Sequence, residues 1–214
     1  MLVAGVDDAG RGPVIGPLVI AGVTFQDHQI PMLQNLGVKD SKVLTPNRRT
    51  ILNREIKKLA IQWEVLELSP SEVDKIVLEG WKFHRLNWLE AVTMAEVIKR
   101  LHPETAYVDA SDVSETRFAR QIKEVLPFNV KIISEHHADV NYAVVSAASI
   151  LAKVHRDESV ALLRERYGNF GSGYPSDPRT KLFLQNCTKE GGFPDCIRKS
   201  WKTVDRLMLK RNGI

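Results

Sequence analysis

The stretch that decides the fold is VAGVDDAGRGPVIGPLVIAGV, residues 3–23. Near its two ends, LVAGV (2–6) and PLVIAGVTF (17–25) are short apolar, β-prone runs separated by a glycine-rich turn, and they predict two adjacent strands. Asp7 and Asp8 stand side by side where the first run ends. Adjacent carboxylates repel each other, and ending a strand does not require them. The pattern therefore predicts a positive group beside these acids in the working protein.

Downstream of this stretch, strand patterns alternate with helix patterns, which predicts an α/β fold whose second half contains parallel strands joined by crossover helices. Thr45 is expected to cap a helix that has Pro46 at its first position, and Ser69 to cap a shorter one. Further strands are predicted at 61–68, 105–111 and 129–134, and further helices at 84–101, 114–126 and 141–168.

The segment GNFGSGYPSDPRT, residues 168–180, interrupts this alternation with glycine and proline, and two helical patterns follow it. We therefore expect a main domain over residues 1–168 and a small helical extension over residues 169–214.

Composition limits the class of protein. No apolar run is long enough to span a bilayer, and the start lacks the features of a signal peptide, so we expect a cytoplasmic protein without a membrane partner. Cys187 and Cys196 are the only cysteines and have no zinc-binding spacing, which favours a reducing compartment. The net charge of +4 permits a polyanionic partner without requiring one.

Four acids fall near predicted strand ends: Asp7, Asp8, Asp109 and Asp139. In open α/β sheets, active sites form beyond the carboxyl ends of strands, so these side chains can converge. Clustered carboxylates need hard cations to neutralise them, and oxygen ligands suit Mg²⁺ or Mn²⁺. For any one Asp, a helix cap or a turn is the simpler explanation; for all four together, we favour a metal site.

Glycine flanks Arg11 on both sides. Gly10 and Gly12 can adopt backbone conformations closed to other residues and let the main chain approach a ligand closely, while Arg11 could meet a phosphate. Glycine turns beside strands also occur without any ligand, so the triplet is a weak sign of a ligand site by itself and a much stronger one beside Asp7 and Asp8.

With these motifs in view, the sequence resembles the type 2 ribonucleases H (ribonuclease HII) of the archaeal kind. The matching segments follow the family's order and spacing over nearly the whole chain: GVDDAGRGPVIGPLVIAGV, VKDSKVL, YVDASDV, HHADVNYAVVSAASILAKVHRD and GSGYPSDPRT. The resemblance implies a ribonuclease H-like fold, with a mixed five-stranded sheet flanked by helices, and makes residues 1–168 the catalytic domain and 169–214 a substrate-binding extension.

The same resemblance implies an endonuclease that depends on Mg²⁺ or Mn²⁺. Its substrates would be RNA/DNA hybrids and duplex DNA with single embedded ribonucleotides, and its products would carry 5′-phosphate and 3′-hydroxyl ends. The family's metal-binding acids map onto Asp7, Asp8, Asp109 and Asp139. We expect a monomer. The sequence leaves open whether a sliding clamp is a partner, and the C-terminal residues contain no clear clamp-binding peptide.

One position departs from the family pattern. Asp8 stands where the family ordinarily has Glu, so the carboxylate must move by about 1.5 Å, the length of one C–C bond. A misplacement of about 1 Å can cost on the order of 100-fold when placement is what catalyses. The backbone compensates, a water bridges the gap, or activity is reduced. A rival function follows from this position: a hybrid-binding module that has lost efficient catalysis.

The resemblance also suggests substrate contacts. The main chain of Gly10, Arg11 and Gly12 would sense the 2′-hydroxyl. Tyr174 would stack on the deoxyribose after the junction, with a core tyrosine as the alternative. Further backbone-contact candidates are Lys42, Asn87, Ser146, Ser149 and Lys153.

Some of these features have competing explanations. Ser146, Ser149 and Lys153 share one helix face, and the serines could simply allow close packing against the sheet. His136 and His137 are expected on extended chain, pointing to opposite faces, so they are not expected to share a zinc ion. The basic residues of 197–211 are expected within the last helix. They either extend the surface that contacts the nucleic-acid duplex or form a solvent-exposed helix face. The sequence lacks the P-loop motif of an α/β phosphotransferase.

Overall fold

The computed structural model of the chain describes residues 1–38, 44–79 and 85–211. Its strands are β1 (Leu2–Ala9), β2 (Leu18–Gln26), β3 (Gln62–Leu68), β4 (Thr105–Asp109) and β5 (Lys131–Glu135). A 3₁₀ turn over Asp27–Gln29 precedes the helices, which are α1 (Ile30–Asn35), α2 (Pro46–Leu59), α3 (Pro70–Glu79), α4 (Arg85–Leu101), α5 (Glu115–Val125), α6 (Ala138–Asn141), α7 (Ala143–Tyr167), α8 (Pro178–Lys189) and α9 (Lys202–Arg211).

The strands form one mixed sheet in the order β3-β2-β1-β4-β5, which confirms the predicted five-stranded sheet. β1 pairs antiparallel with β2, whereas β1 with β4 and β4 with β5 pair in parallel. The apolar runs on either side of the glycine-rich turn are thus neighbours, as predicted. β1 occupies the centre of the sheet.

Helices cover both faces of this sheet. Successive side chains of β1 point to opposite faces, so they join two different cores. Val3 belongs to a core shared with α2 and the first half of α7. Ala4 and Val6 belong to a second core, shared with α4 and α5. The three-layer arrangement buries β1 on both faces and sets the direction of every side chain along it.

Local signals explain where several helices begin. The Thr45 side chain accepts a hydrogen bond from the Arg48 amide at the start of α2, and the Ser114 side chain accepts one from the Arg117 amide at the start of α5. Ser69 accepts from the Glu72 amide before α3. The predicted helix start at His84 lies outside the described residues.

Two compact units can be distinguished in the chain. The first comprises Met1–Ala9, Val19–Leu66 and Asn87–His155 and contains both cores described above. The second comprises Gly10–Leu18, Glu67–Leu86 and Arg156–Ile214. Its core joins Val14 and Ile15 to apolar residues of α7, α8 and α9. The domain boundary predicted at residue 168 stays a prediction.

Candidate active site

Asp7 and Asp8 lie within β1, near its carboxyl end. The sequence predicted that they would follow the strand. The parallel register with β4 has its last pair at Val6 and Val108, but antiparallel pairing with β2 continues through both acids, opposite Ala21 and Ile20. This pairing keeps the chain extended, so the two carboxylates point to opposite faces of the sheet.

Asp109 is the last residue of β4, the strand beside β1. Its Oδ1 accepts a hydrogen bond of 2.7 Å from the Ala138 amide, at the start of α6. Asp139 is the next residue of α6 and is 2% exposed. The sequence did not predict this short helix; it is a separate turn before α7. This bond therefore ties the Asp109 carboxylate to the residue that directly precedes Asp139 in the chain.

The charges of three acids interact around Asp7, whose side chain is 4% exposed. Burial raises the pKa of Asp7 well above its ordinary value, and the neighbouring charges of Asp8 and Asp109 raise it further. A hydrogen bond from Ser149 and the positive charge of Lys153 lower the pKa of Asp7, with smaller effect. The protein thus concentrates negative charge where little water can screen it.

The donor set of this cluster is carboxylate oxygen, which suits a hard cation such as Mg²⁺ or Mn²⁺. Within the described part of the chain, no group of three or more His, Cys, Asp or Glu side chains is arranged as a ready-made metal site. Main-chain amides orient the carboxylates instead: Asp7 Oδ1 accepts from the Asp8 amide at 2.7 Å, much as Asp109 accepts from Ala138. The four-acid metal site remains a prediction.

The predicted helix face of Ser146, Ser149 and Lys153 lies on α7, and two of its three residues act on Asp7. Lys153 Nζ donates to Ser149 Oγ at 2.7 Å, and both residues lower the pKa of Asp7. Ser146 and Ser149 are buried, at 1% and 0% exposure. Phosphate contacts by these residues stay a prediction.

The other two backbone-contact candidates are Asn87 and Lys42. Asn87 lies in the first turn of α4, where its side chain hydrogen-bonds the buried carboxylate of Asp112 and helps to lower the pKa of that group. Lys42 lies outside the described residues.

His136 and His137 lie in the turn between β5 and α6, so the expectation of extended chain was wrong. His137 adopts a left-handed conformation with φ of 59° and is the residue before α6. The His136 ring nitrogen Nδ1 lies 3.2 Å from the Ala110 carbonyl oxygen. Both residues shape the turn that leads into Asp139.

The second unit contains the glycine triplet and Tyr174. Gly10 has φ of +89°, a conformation that favours glycine. A Cβ added to Gly12 would lie 3.2 Å from the Tyr174 ring, so these two residues are in contact. Tyr174 is 45% exposed, which is not the burial expected of a core tyrosine.

Hydrogen bonds fix the turn that carries Tyr174. Asp177 accepts from the Ser172 and Arg179 amides at 2.7 and 2.8 Å, and these bonds lower its pKa. The Gly173 carbonyl accepts from the Val14 amide at 2.8 Å. The tyrosine and the segment that follows Gly12 are thus held together within this unit.

Sequence reasoning missed three residues near these features. Ser111 Oγ lies 3.4 Å from Asp8 Oδ1 and donates to it. Its position two residues after Asp109 is a signal that could have singled it out. Arg198 and Trp201 contact the main chain of the glycine triplet. The sequence pattern of 197–211 predicted a single basic helix, but α9 begins only at Lys202 and Arg198 is fully buried.

Comparison with known proteins identifies the family. The family model described as Ribonuclease HII matches residues 4–204. The chain belongs to the ribonuclease HII family. A ribonuclease HII of Thermococcus onnurineus is 46% identical, with 100% of this chain and 96% of the relative covered. The resemblance inferred from the sequence motifs is confirmed, and a ribonuclease HII is an endoribonuclease, a hydrolase that cleaves the RNA of RNA/DNA hybrids.

Solved structures agree with the family assignment. The crystal structure of ribonuclease H2 from Pyrococcus horikoshii has a TM-score of 0.91 and 43% identity, with 100% of both chains covered. The ribonuclease HII in the PCNA:RNase HII complex from Archaeoglobus fulgidus has a TM-score of 0.86 and 45% identity, with 96% of each chain covered. The predicted ribonuclease H-like fold is confirmed. Over the described ranges of this ribonuclease HII, every helix is too short or too polar to cross a membrane.

Proposed function

We propose that this ribonuclease HII uses Asp7, Asp8, Asp109 and Asp139 to hold Mg²⁺ or Mn²⁺ and cleaves RNA in hybrids as well as single ribonucleotides embedded in duplex DNA. The observation that carries the proposal is the burial of Asp7, 4% exposed on the central strand, next to Asp8 and beside the strand that ends at Asp109, whose charges help to raise its pKa. A protein that merely bound nucleic acid would gain nothing from such a cluster, because phosphates are negative too.

The carboxylates fit the proposed ions by charge and by ligand type. Bound divalent ions would supply a nucleophilic hydroxide from water and stabilise the leaving 3′ oxygen. Asp7, on the central strand, would be the main ligand, and Asp8, Asp109 and Asp139 would complete the set of carboxylates that holds the ions. The expected products carry 5′-phosphate and 3′-hydroxyl ends.

Lys153 and Ser149 have a definable role beside this cluster. Both favour the charged form of Asp7, Ser149 by hydrogen bonding and Lys153 by its positive charge. They oppose the effect of burial and keep the carboxylate available as a ligand. Ser146, Asn87 and Lys42 complete the proposed set of substrate contacts on the strength of the family resemblance.

The second unit would select the RNA strand. Telling RNA from DNA requires a hydrogen bond with the 2′-hydroxyl. The main chain of Gly10, Arg11 and Gly12 is suited to this because glycine permits close approach, and φ of +89° at Gly10 supports a need for glycine there. The exposed ring of Tyr174 is available for stacking on the next sugar.

The proposal also covers a partner protein, the oligomeric state and the location in the cell. The Archaeoglobus fulgidus relative was solved in complex with PCNA, so a sliding clamp is a reasonable partner for this chain. A monomeric state and a cytoplasmic location stay predictions.

A cleavage assay tests the proposed function directly. The substrates are a duplex with one embedded ribonucleotide, an RNA/DNA hybrid and a matched all-DNA duplex, each with Mg²⁺, with Mn²⁺ or with a chelator. Cleavage of the first two substrates, only with metal, is expected, with 5′-phosphate on the downstream fragment. Cleavage that persists in the chelator would contradict the metal site, and cleavage of hybrids alone would contradict the embedded-ribonucleotide activity.

Tyr174→Ala is expected to reduce cleavage at a single embedded ribonucleotide by about tenfold or more, in line with the loss of one stacking contact. An all-RNA strand should be cleaved with a smaller loss, because only the embedded ribonucleotide always places deoxyribose after the cut. Single-turnover rates on both substrates measure the difference. Tyr174→Phe keeps the ring and serves as the control; equal losses on the two substrates would make Tyr174 a general packing residue.

Asp8→Glu is expected to raise the Mg²⁺-supported rate and to narrow the advantage of Mn²⁺ over Mg²⁺. The shorter Asp8 carboxylate would hold an ion loosely, and Mg²⁺ demands near-ideal octahedral geometry. The gain could approach about 100-fold, the cost of a misplacement of about 1 Å. Turnover of both proteins across a titration of each metal measures it. A slower Asp8→Glu enzyme in Mg²⁺ would show that the site is built around aspartate.

A further inference from the structure

Arg198 is fully buried in the second unit, and its guanidinium donates hydrogen bonds to main-chain carbonyls of the segment that follows β1. Nε donates to Gly16 O at 3.0 Å, Nη1 to Arg11 O at 3.0 Å and Nη2 to Gly10 O at 2.6 Å. A buried guanidinium is costly unless its donors are satisfied. Arginine meets these three acceptors because its donors form a rigid planar fork that lysine lacks.

Trp201 extends the same arrangement by one residue. Its Nε1 donates to Gly12 O at 3.1 Å, and the Arg198 guanidinium lies over its ring at 4.7 Å from the centroid. The carbonyls of all three residues of the triplet therefore accept hydrogen bonds from two side chains of one segment.

The segment that carries these side chains is itself anchored. The buried carboxylate of Asp74, on α3, accepts from the Lys199 amide at 2.7 Å and the Ser200 amide at 2.9 Å. Main-chain bonds also join it to the glycine-containing segment: Arg198 N donates to Val14 O at 2.9 Å, and Gly16 N donates to Cys196 O at 2.8 Å. The support is thus continuous from α3 to the triplet.

Holding a carbonyl fixes the amide that shares its peptide plane. In a trans peptide the C=O of one residue and the N–H of the next point in opposite directions. Bonds to Gly10 O and Arg11 O therefore set the directions of the Arg11 and Gly12 amides. These amides therefore point away from the Arg198 side chain.

We propose that Arg198 and Trp201 are positioning residues for ribonucleotide recognition: they hold the main chain of residues 10–12 so that its amides meet the 2′-hydroxyl of the substrate. The inference rests on the proposed function, since it assumes that this main chain reads the ribose. It adds that selectivity for RNA depends on two side chains that touch no substrate.

The test measures binding without cleavage. Dissociation constants of the full-length protein are determined in a chelator for a duplex with one embedded ribonucleotide and for the matched all-DNA duplex. The wild-type protein should prefer the ribonucleotide duplex. Arg198→Lys should lose most of that preference, at least about tenfold, because it replaces a three-acceptor fork with a single ammonium group. Its affinity for all-DNA duplex should change little, which a merely structural defect would not achieve.

Trp201→Phe provides a second variant that keeps an aromatic ring and removes only the bond to Gly12 O. Its preference should fall by roughly fivefold, the typical contribution of one hydrogen bond. Arg120→Lys, the same chemical change at an exposed position of α5, should bind both duplexes like wild type. Thermal melting of each variant sets an assay temperature at which all are folded.

The outcomes separate the two hypotheses. A wild-type protein that neither prefers nor cleaves the ribonucleotide duplex would overturn the proposed function. A selective wild type with unchanged selectivity in both folded variants would overturn the role of Arg198 and Trp201 alone. If Arg198→Lys does not fold, an unchanged preference in Trp201→Phe overturns the proposal and a reduced one supports it.

Discussion

Asp109→Asn is expected to lower turnover of a duplex with one embedded ribonucleotide by more than about 100-fold, the upper range for disturbing a partner of a metal ligand. The replacement removes the charge of a proposed ligand. Asn can still accept the hydrogen bond from the Ala138 amide, so the local fold should persist. Single-turnover cleavage with saturating Mg²⁺ measures the loss, and Asp7→Asn should behave in the same way.

The same variant should not destabilise the metal-free protein at neutral pH. The Asp109 charge raises the pKa of Asp7 in the folded protein. When the pKa of a buried acid is raised in this way, the free energy of unfolding of the protein falls as pH rises through that pKa. Removing the charge relieves part of this loss, so the free energy of unfolding should stay equal or rise slightly. The difference should vanish below about pH 4, the ordinary carboxyl pKa, where Asp7 is protonated in the folded and unfolded states.

A matched control is available in Asp195→Asn, at an exposed position in the loop between α8 and α9. It makes the same chemical change far along the chain and should leave cleavage and stability unchanged. Cleavage at the wild-type rate by Asp109→Asn would remove this residue from the metal site. A neutral-pH loss of stability would show that the Asp109 charge stabilises the fold.

Gly5→Ala is expected to lower the free energy of unfolding by about 3 kcal/mol or more, at or beyond the upper end for overpacked cores. A Cβ at Gly5 would lie 2.0 Å from the Val144 carbonyl oxygen and 2.5 Å from the Val145 nitrogen. These are backbone atoms at the start of α7, so no side-chain rotation can relieve the clash. Either β1 or α7 must move.

Thermal and denaturant unfolding measure this effect, and the melting temperature should fall by roughly 6–12 °C for a chain of this size. Cleavage should fall as well, because β1 carries Asp7 and α7 carries Ser149 and Lys153. Gly192→Ala is the matched control, since nothing lies within 4 Å of its Cβ position, and it should be neutral or slightly stabilising. An unchanged melting temperature in Gly5→Ala would contradict the close packing of α7 on β1.

The sequence predicted those elements whose signals are local. Thr45 and Pro46 mark the start of α2 in sequence and in structure, because a capping side chain and a proline act within one helical turn. The paired apolar runs around the glycine-rich turn became β1 and β2 for a similar reason. The predicted helix at 141–168 became α7 (Ala143–Tyr167), but the separate turn of α6 follows the left-handed His137, a conformation that few non-glycine residues adopt and that the sequence did not predict.

The sequence by itself determined the family, the order of the strands and of the longer helices, and the placement of acids at the carboxyl ends of neighbouring strands, because these follow from residue type and spacing. The tertiary structure alone decided which groups meet. Pairing with β2 keeps Asp7 and Asp8 inside a strand, and alternation along that strand points Asp7 toward α7 and Lys153. Arg198 has the sequence pattern of a surface cation, yet it is fully buried because carbonyls of Gly10, Arg11 and Gly16, more than 180 residues earlier, accept its donors. Contacts of this kind depend on chain segments brought together by folding, and no local pattern encodes them.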